Sequence, residues 1–350
     1  MSTATIEIDG SLGEGGGQIL RTSLALSLIT GKPFHLRNIR AGRAKPGLQA
    51  QHLMSVRAAA QIGQAKLRGA SLGSCDLVFE PGKVSPGKYQ FKIGTAGAAS
   101  LVLHTIYLPL ALSGGESTVT IEGGTHVKAS PCYHFLLKTW SAYMSCLGIE
   151  VFVRLERYGF YPRGGGIIHA HINRVERVRP FQGLTTETFL ATGVPRKMYL
   201  TTVVANLPSS IAPRMLKHAL ACLDEYVEIE PEEEIFTKGG PGCMFGVKVP
   251  TEPVPTFLFA LGEKGKPAEA VADEVVDQVR TFARTKPLGV DEHSADQLLL
   301  PLALADGSSQ FRVSAISSHL LTNAAVIQIF LNRQISCDGD KGESGQVTVS

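Results

Sequence analysis

The chain has 350 residues, of which 44% are hydrophobic and 19% charged, and its 37 glycines follow no collagen-like period. This composition is that of a folded protein with one large and one smaller domain, and it excludes a collagen or a disordered polypeptide. The formal net charge is +3, which is too small for a protein that coats nucleic acid along its length. An anionic partner must therefore bind at a local site.

The sequence shows no motif for targeting or for a structural zinc. The N-terminal MSTATIEIDG has no basic segment followed by an apolar one, and no apolar run reaches about eighteen residues, so neither secretion nor membrane insertion is indicated. The cysteines form no CxxC pair and no Cys/His run at zinc spacing, so a structural zinc site is not predicted. We expect a cytoplasmic protein. The six cysteines are Cys75, Cys132, Cys146, Cys222, Cys243 and Cys337.

Along the chain, one pattern occurs three times: a helix-like apolar run, a glycine near its end, a short alternating strand and a second helix-like run. The first copy reads ILRTSLALSLITG, KPFHLRNI and GLQAQHLMSVRAAAQIG. The second reads LVLHTIYLPLALSGG, STVTIEGG and SPCYHFLLKTWSAYMSCLG, followed by the strand IEVFVRL. The third reads DQLLLPLALADG, QFRVSAI and SHLLTNAAVIQIFL. Each copy predicts an α/β unit with helices laid on a sheet.

A segment between the second and third copies breaks this pattern. It contains the predicted strands MYLTTVVANL, CMFGVKVP and TFLFALG and the helix PAEAVADEVVDQVRTFAR. We therefore predict a large domain formed by residues 1–183 and 286–338, and an inserted small domain at 184–285. The remaining residues, 339–350, are predicted to be a C-terminal tail, the one stretch in which disorder is expected.

The first candidate site is the segment DGSLGEGGGQILRTSLAL, in which four glycines directly precede a predicted helix. Free backbone N–H groups and the helix dipole favour an anion at such a point. The segment is neither a Walker A loop, since no GK[ST] follows, nor the GxGxxG of a dinucleotide-binding unit. It indicates a phosphate cradle, with an ordinary tight turn as the alternative.

Charged residues near this segment extend the candidate site. A carboxylate beside phosphates usually requires a metal ion between them, so Glu14 is a candidate metal ligand, with an exposed loop acid as the alternative. Gln18 and Arg21 lie one helical turn apart and project to the same side. Arginine suits bidentate phosphate contact. The run IRAGRAKPG adds the candidate phosphate ligands Arg40, Arg43 and Lys45.

One histidine stands apart from the other nine. His319 follows two serines at the predicted N-terminus of the helix SSHLLTNAAV. The helix dipole there lowers the imidazole pKa and would keep the ring a neutral nucleophile. On position alone, a capping or core histidine is the favoured interpretation, so the assignment depends on the surrounding sequence.

Taken together, the segments from Ile6 to Leu331 resemble the RNA 3'-terminal phosphate cyclase family. The motifs that carry the resemblance are GEGGGQILRTSLALS, IRAGRAKPGLQAQHL, IGTAGAASLVL, GFYPRGGG, ADQLLLPLALA and SHLLTNAAV. The resemblance implies an α/β (α+β) fold with three repeated βαβαββ-type units, as in enolpyruvyl transferases, and one smaller inserted α/β domain. It also implies ATP-dependent conversion of an RNA 3'-terminal phosphate to a 2',3'-cyclic phosphodiester. The implied route runs through a covalent histidine–AMP and an RNA-adenylate, as in a nucleotidyl-transferring ligase that releases AMP and diphosphate.

The resemblance also implies roles for single residues. His319 matches the nucleophile, Glu14 the carboxylate for a divalent metal (Mg or Mn), and Pro131 a residue that packs on adenine. His104 and His293 stand where glutamine and tyrosine are expected, and both can still hydrogen bond or stack. Positions that match the lining of the phosphate site are Gln18, Arg21, Arg43 and Lys45. The segment that matches the ATP-holding part is His293, Ser294, Ala295, Asp296 and Gln297.

Two other functions compete with the enzyme. One is a non-catalytic, cyclase-like RNA-binding or ribosome-biogenesis factor on the same fold, a group that lacks the histidine matched by His319. The other is an enolpyruvyl transferase, which uses phosphoenolpyruvate and a sugar-like acceptor. His319 and the intact ADQ and GEGGGQ segments favour the cyclase. The expected partner is RNA with a 3'-phosphate end and not a membrane; the sequence leaves open a homodimer, the physiological RNA and whether 5' ends react.

Overall fold

A computed structural model describes residues 4–183, 197–223, 229–237, 240–284 and 289–350. Over these residues the protein is mixed α/β, as predicted, with helices packed on four small sheets. None of the described helices is both long enough and apolar enough to cross a membrane. All six cysteines are free.

The first unit is a four-stranded sheet covered by two helices. Its strand order is β1-β2-β4-β3, with β1 and β2 parallel and the other pairs antiparallel. Leu20, Leu24 and Leu28, spaced four apart, are buried on the first helix, which is why this apolar run is helical. The elements are β1 (Ile6–Asp9), α1 (Gly17–Thr30), β2 (Phe34–Arg37), α2 (Ala50–Gly63), β3 (Lys66–Arg68) and β4 (Leu77–Glu80).

The second unit has the same strand order and the same alternation of parallel and antiparallel pairs, β5-β6-β8-β7. Its second helical stretch is interrupted by a π-helical segment that ends at the buried Trp140. The elements are β5 (Lys88–Lys92), α3 (Ala99–Ala111), β6 (Ser117–Gly123), α4 (Tyr133–Phe135), the π-helical segment (Leu136–Trp140), α5 (Ser141–Cys146), β7 (Val151–Arg157) and β8 (Gly166–Ile172).

The third unit has the sheet β13-β15-β14, to which Val290 adds an isolated parallel bridge with Val313. The predicted C-terminal tail at 339–350 is wrong: it contains the central strand of this sheet. Gly345, Val347 and Val349 alternate as buried residues there, and this period of two is the pattern of a strand packed on one face. The elements are α8 (Glu292–Ala303), β13 (Ser309–Val313), α9 (Ser318–Phe330), β14 (Ile335–Asp338) and β15 (Gly345–Val349).

The segment between the second and third units forms a sheet of its own, in the order β10-β9-β11-β12. Its helices cover a separate hydrophobic cluster that includes Phe245, Val276 and Phe282. The predicted domain limits at 184 and 285–286 lie outside the described residues. The elements are β9 (Met198–Ala205), α6 (Ile211–Cys222), β10 (Ile229–Thr237), β11 (Gly242–Val249), β12 (Thr256–Leu261) and α7 (Ala268–Arg284).

Packing between units positions the site. Helix α1 contacts α9 and α3, and α8 contacts α9, so helices from all three sheet units meet in one core. Phe257 of β12 is buried in that same core, and the backbone N–H of Phe257 donates to Thr139 Oγ1 at 2.9 Å. The inserted segment is therefore anchored against the second unit through β12.

Candidate functional site

A cleft of about 640 Å³ opens where the three helices α1, α8 and α9 meet α3, β12 and α7. Its lining includes one group of charged residues and one group of mainly aromatic residues. The charged cluster consists of Glu14, Arg21, Arg40, Arg43 and His319. The aromatic cluster consists of His104, Tyr107, Trp140, Phe257 and Phe259.

Glycines allow the loop between β1 and α1 to approach α9 closely. Gly13 has φ +58, and a Cβ at this position would lie 2.1 Å from the Thr322 hydroxyl oxygen. A Cβ on Gly16 would lie 2.2 Å from Glu14 Oε1. Neither position therefore accepts a side chain without rearrangement. The glycine-rich segment thus seats Glu14 against α9, and Gly17, the first residue of α1, borders the cleft.

His319 is the second residue of α9, as the sequence predicted. Ser317 caps the helix, because its hydroxyl accepts the Leu320 N–H at 3.0 Å. His319 Nε2 lies 3.0 Å from Glu14 Oε2, and 47% of the His319 side chain is exposed. Burial lowers the pKa of His319, the nearby Glu14 opposes this shift, and Arg21 and Arg43 add to it. The imidazole is consequently neutral at neutral pH.

Glu14 joins the histidine to the arginines. Its Oε2 accepts a hydrogen bond from Arg43 Nη2 at 2.9 Å as well as the contact from His319. Its Oε1 is buried and has no hydrogen-bond partner among the described residues. A carboxylate oxygen with free lone pairs in a cleft is a donor that Mg²⁺ or Mn²⁺ prefers. This oxygen therefore fits the predicted divalent ion.

A chain of hydrogen bonds connects the three helices behind the charged cluster. Arg21 Nη2 donates to Gln18 Oε1 at 2.6 Å, and Gln18 Nε2 donates to Thr22 Oγ1 at 3.1 Å. Thr22 donates in turn to Asn323 Oδ1 of α9 at 2.6 Å. Asn323 Nδ2 then donates to the Asp296 carbonyl of α8 at 2.6 Å. The sequence interpretation missed Thr22 and Asn323, although Asn323 lies four residues after His319 on a predicted helix.

The electrostatics of this region favour an anionic ligand. Burial lowers the pKa of Arg21 to about 10, so its guanidinium stays charged. Burial, with Arg21, Arg40 and Arg43 adding to it, lowers the pKa of His52 to about 3. Burial raises the pKa of Asp296 to about 8, with Arg21 opposing the shift, so this carboxyl is mostly protonated at neutral pH. The positive charge near His319 is therefore only partly neutralised.

Helix α8 brings one face to the cleft. Asp291 caps it by accepting the N–H groups of His293 at 3.1 Å and Ser294 at 3.0 Å. The residues of α8 that line the cleft are His293, Asp296, Gln297 and Leu300, which is the spacing of one helical face. Two predicted residues do not line it: Ser294 and Ala295 are buried, with Ala295 on the opposite face of α8 and Ser294 on its side.

Lys45 is the third predicted residue outside the cleft. Arg40 and Arg43 line it, whereas Lys45 is exposed and does not. The Arg40 guanidinium donates to the backbone carbonyls of Lys45 and, at 3.0 Å, of Gly47. These bonds fold the segment around Arg40, so that the Lys45 side chain stands in solvent.

The aromatic cluster lies on α3, the π-helical segment and β12. The His104 ring is 5.0 Å from Trp140, and Tyr107 meets Trp140 edge-on, also at 5.0 Å. Burial lowers the pKa of His104 to about 3, and its buried Nε2 has no partner in the described part of the chain. Rings with one unsatisfied nitrogen suit a flat heteroaromatic ligand. Pro131 also lines the cleft, whereas the sequence interpretation missed Trp140, Phe257 and Phe259.

The cleft thus combines arginines, a helix N-terminus and a carboxylate with an aromatic cluster, a combination typical of α/β proteins whose clefts accept phosphorylated ligands. The sequence profile described as RNA 3'-terminal phosphate cyclase matches residues 12–337. The chain therefore belongs to the RNA 3'-terminal phosphate cyclase family.

Individual relatives agree with the profile. A protein of Salmonella enteritidis PT4 named RNA 3'-terminal phosphate cyclase is 41% identical over 342 residues, which cover 97% of each chain. A protein of the same name from Methanopyrus kandleri is 40% identical over an alignment of 355 positions that covers 98% of each chain. A third, from Koribacter versatilis, is 42% identical over 326 residues, or 93% of this chain and 90% of its own. The similarity thus spans nearly the whole length of these proteins.

Proposed function

We propose that this protein converts an RNA 3'-terminal phosphate to a 2',3'-cyclic phosphodiester in an ATP-dependent reaction. The observation that carries the proposal is the neutral imidazole of His319, which lies 3.0 Å from Glu14 and borders the same cleft as three arginines. The names of the relatives supply the reaction.

The chemistry requires an activated phosphate. A 2'-hydroxyl cannot close directly on a 3'-phosphate, because the oxygen that must leave is a poor leaving group. In our proposal, His319 attacks the α-phosphorus of ATP, forming a P–N bond while pyrophosphate leaves. The RNA 3'-phosphate oxygen then displaces histidine from AMP, which forms an RNA-adenylate and restores the imidazole.

The second half of the reaction needs little from the protein. The 2'-hydroxyl lies on the same ribose as the activated 3'-phosphate, so its attack on that phosphorus is intramolecular and has a large entropic advantage. AMP leaves as the cyclic ester forms, and the hydroxyl proton passes to solvent or to a base in the cleft. The sum is one ATP and one RNA 3'-phosphate giving AMP, diphosphate and a cyclic end.

A ring nitrogen that carries a proton has no free lone pair, so a proton on His319 Nε2 must leave before that atom attacks. His319 Nε2 lies 3.0 Å from Glu14 Oε2. Glu14 is the group placed to accept that proton, or to lose the contact when the ring changes to its Nδ1–H tautomer. We therefore assign Glu14 a direct part in preparing the nucleophile.

The remaining lining residues stabilise charge or hold ligands. Arg21, Arg40 and Arg43 stabilise the negative charge that develops on the phosphoryl oxygens and on pyrophosphate. Glu14 Oε1 would hold Mg²⁺ or Mn²⁺, which neutralises phosphate charge when bound. For the nucleoside part of ATP, we assign the aromatic cluster and Pro131 to the base and the Asp296 and Gln297 side chains to polar contacts.

We also propose a repeated-unit architecture and a cytoplasmic location for this protein. The shared strand order of the first two sheets, together with the parallel Val290 bridge beside β13 in the third, supports three repeated βαβαββ-type units of the kind found in enolpyruvyl transferases. The free state of all six cysteines supports a reducing cytoplasm.

The test uses two synthetic RNAs that end in a 3'-phosphate, one with a ribose and one with a 2'-deoxyribose at the terminus. With ATP and Mg²⁺ or Mn²⁺, the ribose substrate should give a cyclic end resistant to phosphatase, and the deoxy substrate should stop at the RNA-adenylate. Cyclisation that proceeds without ATP would contradict the proposal. Binding of both RNAs without either product would instead support the non-catalytic RNA-binding factor.

A further inference from the structure

Helices α6 and α7 of the inserted segment run side by side in the same direction. Two cross-helix pairs, both 55 residues apart in sequence, show this: Arg214 with Glu269, and His218 with Asp273. The Arg214 pair is bidentate, with N···O distances of 2.8 and 2.7 Å. In this pair each of the two N–H groups has a carboxylate acceptor, so neither side chain needs a further ligand.

One turn further along α6, three Lewis-basic atoms converge. His218 Nε2 is 2.6 Å from Asp273 Oδ1 and 3.7 Å from Cys222 Sγ. The three ligand atoms all lie within 4.8 Å of one another. His218 and Cys222 are four residues apart and so share one face of α6.

The protons on these three side chains leave the sulfur of Cys222 without a strong hydrogen bond. Nε2 of His218 carries at most one proton, which goes to the carboxylate of Asp273. The sulfur of Cys222 then lies beside a nitrogen that has nothing more to donate, and the thiol has only a weak donor of its own. A cation between the three atoms would satisfy all of them.

A second His/Cys group, formed by His126, Cys132 and His134, is more fully hydrogen-bonded within the protein. Gly159 N donates to Thr125 Oγ1, which bonds His126 Nδ1, and His126 Nε2 bonds His134 Nδ1, each at 2.9 Å. Cys132, close to these rings, accepts the Phe135 N–H. These hydrogen bonds form one continuous chain, and the imidazoles are at most 2% exposed. The chain gives both nitrogens of His126 and Nδ1 of His134 a hydrogen-bond partner within the protein.

We propose that His218, Cys222 and Asp273 form a binding site for a Zn²⁺-class ion, distinct from the cleft. Imidazole, thiolate and carboxylate are all zinc ligands. The thiolate and carboxylate together balance the charge of a divalent ion. His218 and Asp273 side chains are 33% and 54% exposed, so the ion can enter and water can complete a tetrahedral site.

Binding needs only small movements and a defined proton balance. Ligand atoms around tetrahedral zinc lie about 3.3 Å apart, given bond lengths of about 2.0 to 2.3 Å, so the contact between His218 and Asp273 opens slightly. Cys222 loses its thiol proton to solvent, and the His218 proton moves from Nε2 to Nδ1. One proton is released per ion bound.

The site would tie α6 to α7 near the cleft. Asp273 directly precedes Glu274, and both Glu274 and Gln278 of α7 line the cleft. An ion that crosslinks the helices would hold this wall in place and stabilise the inserted segment, because it binds the folded state and not the separated helices.

The test uses Co²⁺ as a probe of the chelator-treated, full-length protein. A thiolate bound to Co²⁺ gives a charge-transfer absorption in the near ultraviolet, which oxygen ligands such as Glu14 do not produce. The wild type should show this band, saturating at one equivalent, and added Zn²⁺ should remove it. Asp273→Asn should weaken the binding at least about tenfold.

Variants provide the controls. Cys222→Ser should abolish the band, whereas Cys75→Ser, at an exposed cysteine outside the group, should retain it. At one Zn²⁺ concentration, the thermal midpoint should rise more for the wild type and Cys75→Ser than for Asp273→Asn, a comparison that holds even if Cys222→Ser folds poorly. Absence of the band in the wild type, or an equal band in a folded Cys222→Ser, would overturn the proposal.

Discussion

The charged and aromatic clusters line one cleft but are held in different ways. In the charged cluster, polar atoms fix one another: Glu14 accepts a hydrogen bond from Arg43 at 2.9 Å and lies 3.0 Å from His319 Nε2. In the aromatic cluster, rings contact at 5.0 Å or more, and His104 Nε2 has no partner among the described residues. Directional bonds fix angles and distances, whereas ring packing fixes shape.

In the proposed function, the charged cluster suits phosphoryl transfer and the aromatic cluster suits binding of the nucleobase. A transferred phosphoryl group requires charges within a few tenths of an ångström of set positions, and the charged cluster is built in that way. A nucleobase requires a flat apolar surface and a few polar atoms, and the aromatic cluster offers these. Changes in the first should act on turnover, and changes in the second should act on ATP affinity.

The largest effect is expected at the proposed nucleophile. His319→Ala should lower the cyclisation rate by about 10³-fold or more, because the covalent route is lost. His171→Ala, which removes a partly exposed imidazole on β8, should stay within about twofold of the wild type, as expected for a surface side chain. Single-turnover rates with saturating ATP measure both. If both variants lose the same fraction of the cyclisation rate, His319 has no special role and the nucleophile assignment is wrong.

A smaller loss is expected from Arg43, which bonds Glu14. Arg43→Ala should reduce the single-turnover rate by about 100-fold, and Arg43→Lys by about tenfold, because lysine keeps the charge but not the planar donor geometry. Lys45→Ala is the matched control, since Lys45 lies two residues away and outside the cleft. If Lys45→Ala is as damaging as Arg43→Ala, the placement of these residues is wrong.

The pH dependence should report two groups of the site. The pKa of His319 is lowered from 6.5, so the imidazole is neutral above that value, and the adenylylation rate should fall about tenfold per pH unit only on acidification below pH 6.5. The pKa of Asp296 is raised to about 8, so above pH 8 its new negative charge should slow the reaction. Asp296→Asn should remove the alkaline fall and keep the acid one. A rate that already falls between pH 8 and 7 would contradict the His319 assignment.

The smallest effect is expected in the aromatic cluster. Phe259→Leu should raise the KM for ATP about three- to tenfold and change kcat less than twofold, because it weakens packing on a ligand without touching the reacting atoms. Phe152→Leu, at a 61% exposed ring on β7, should change neither constant. Steady-state kinetics with varied ATP measure the split. A fall in kcat alone would place Phe259 with the charged cluster instead.

Sequence reasoning reached the charged cluster better than the aromatic one for a physical reason. The helix start at His319 and the glycines around Glu14 carry local signals, namely capping residues and positions that need close approach. No local sequence pattern indicates the aromatic cluster, because Trp140 and Phe259 lie in apolar segments that are typical of a hydrophobic core. Only the packing of β12 against the second unit brings them to the same cleft.

Even within the charged cluster, sequence could not supply the contacts. Glu14 and His319 are about 300 residues apart, and their approach depends on the packing of α1 against α9. Helical periodicity alone places Ala295 opposite His293 and Gln297, so the position of Ala295 outside the cleft follows from the sequence pattern. The position of Lys45 does not, because hydrogen bonds from Arg40 to backbone carbonyls shape that turn.

The central claim is that His319 is the residue that carries AMP. The direct measurement is to react the protein with ATP and a divalent ion, digest it at alkaline pH where a phosphoramidate survives, and locate the AMP-modified peptide by mass spectrometry. We expect AMP on His319, in the peptide that contains SSHLLTNAAV. AMP on any other residue, such as Lys45, or no adduct in a preparation that cyclises RNA with ATP, would contradict it.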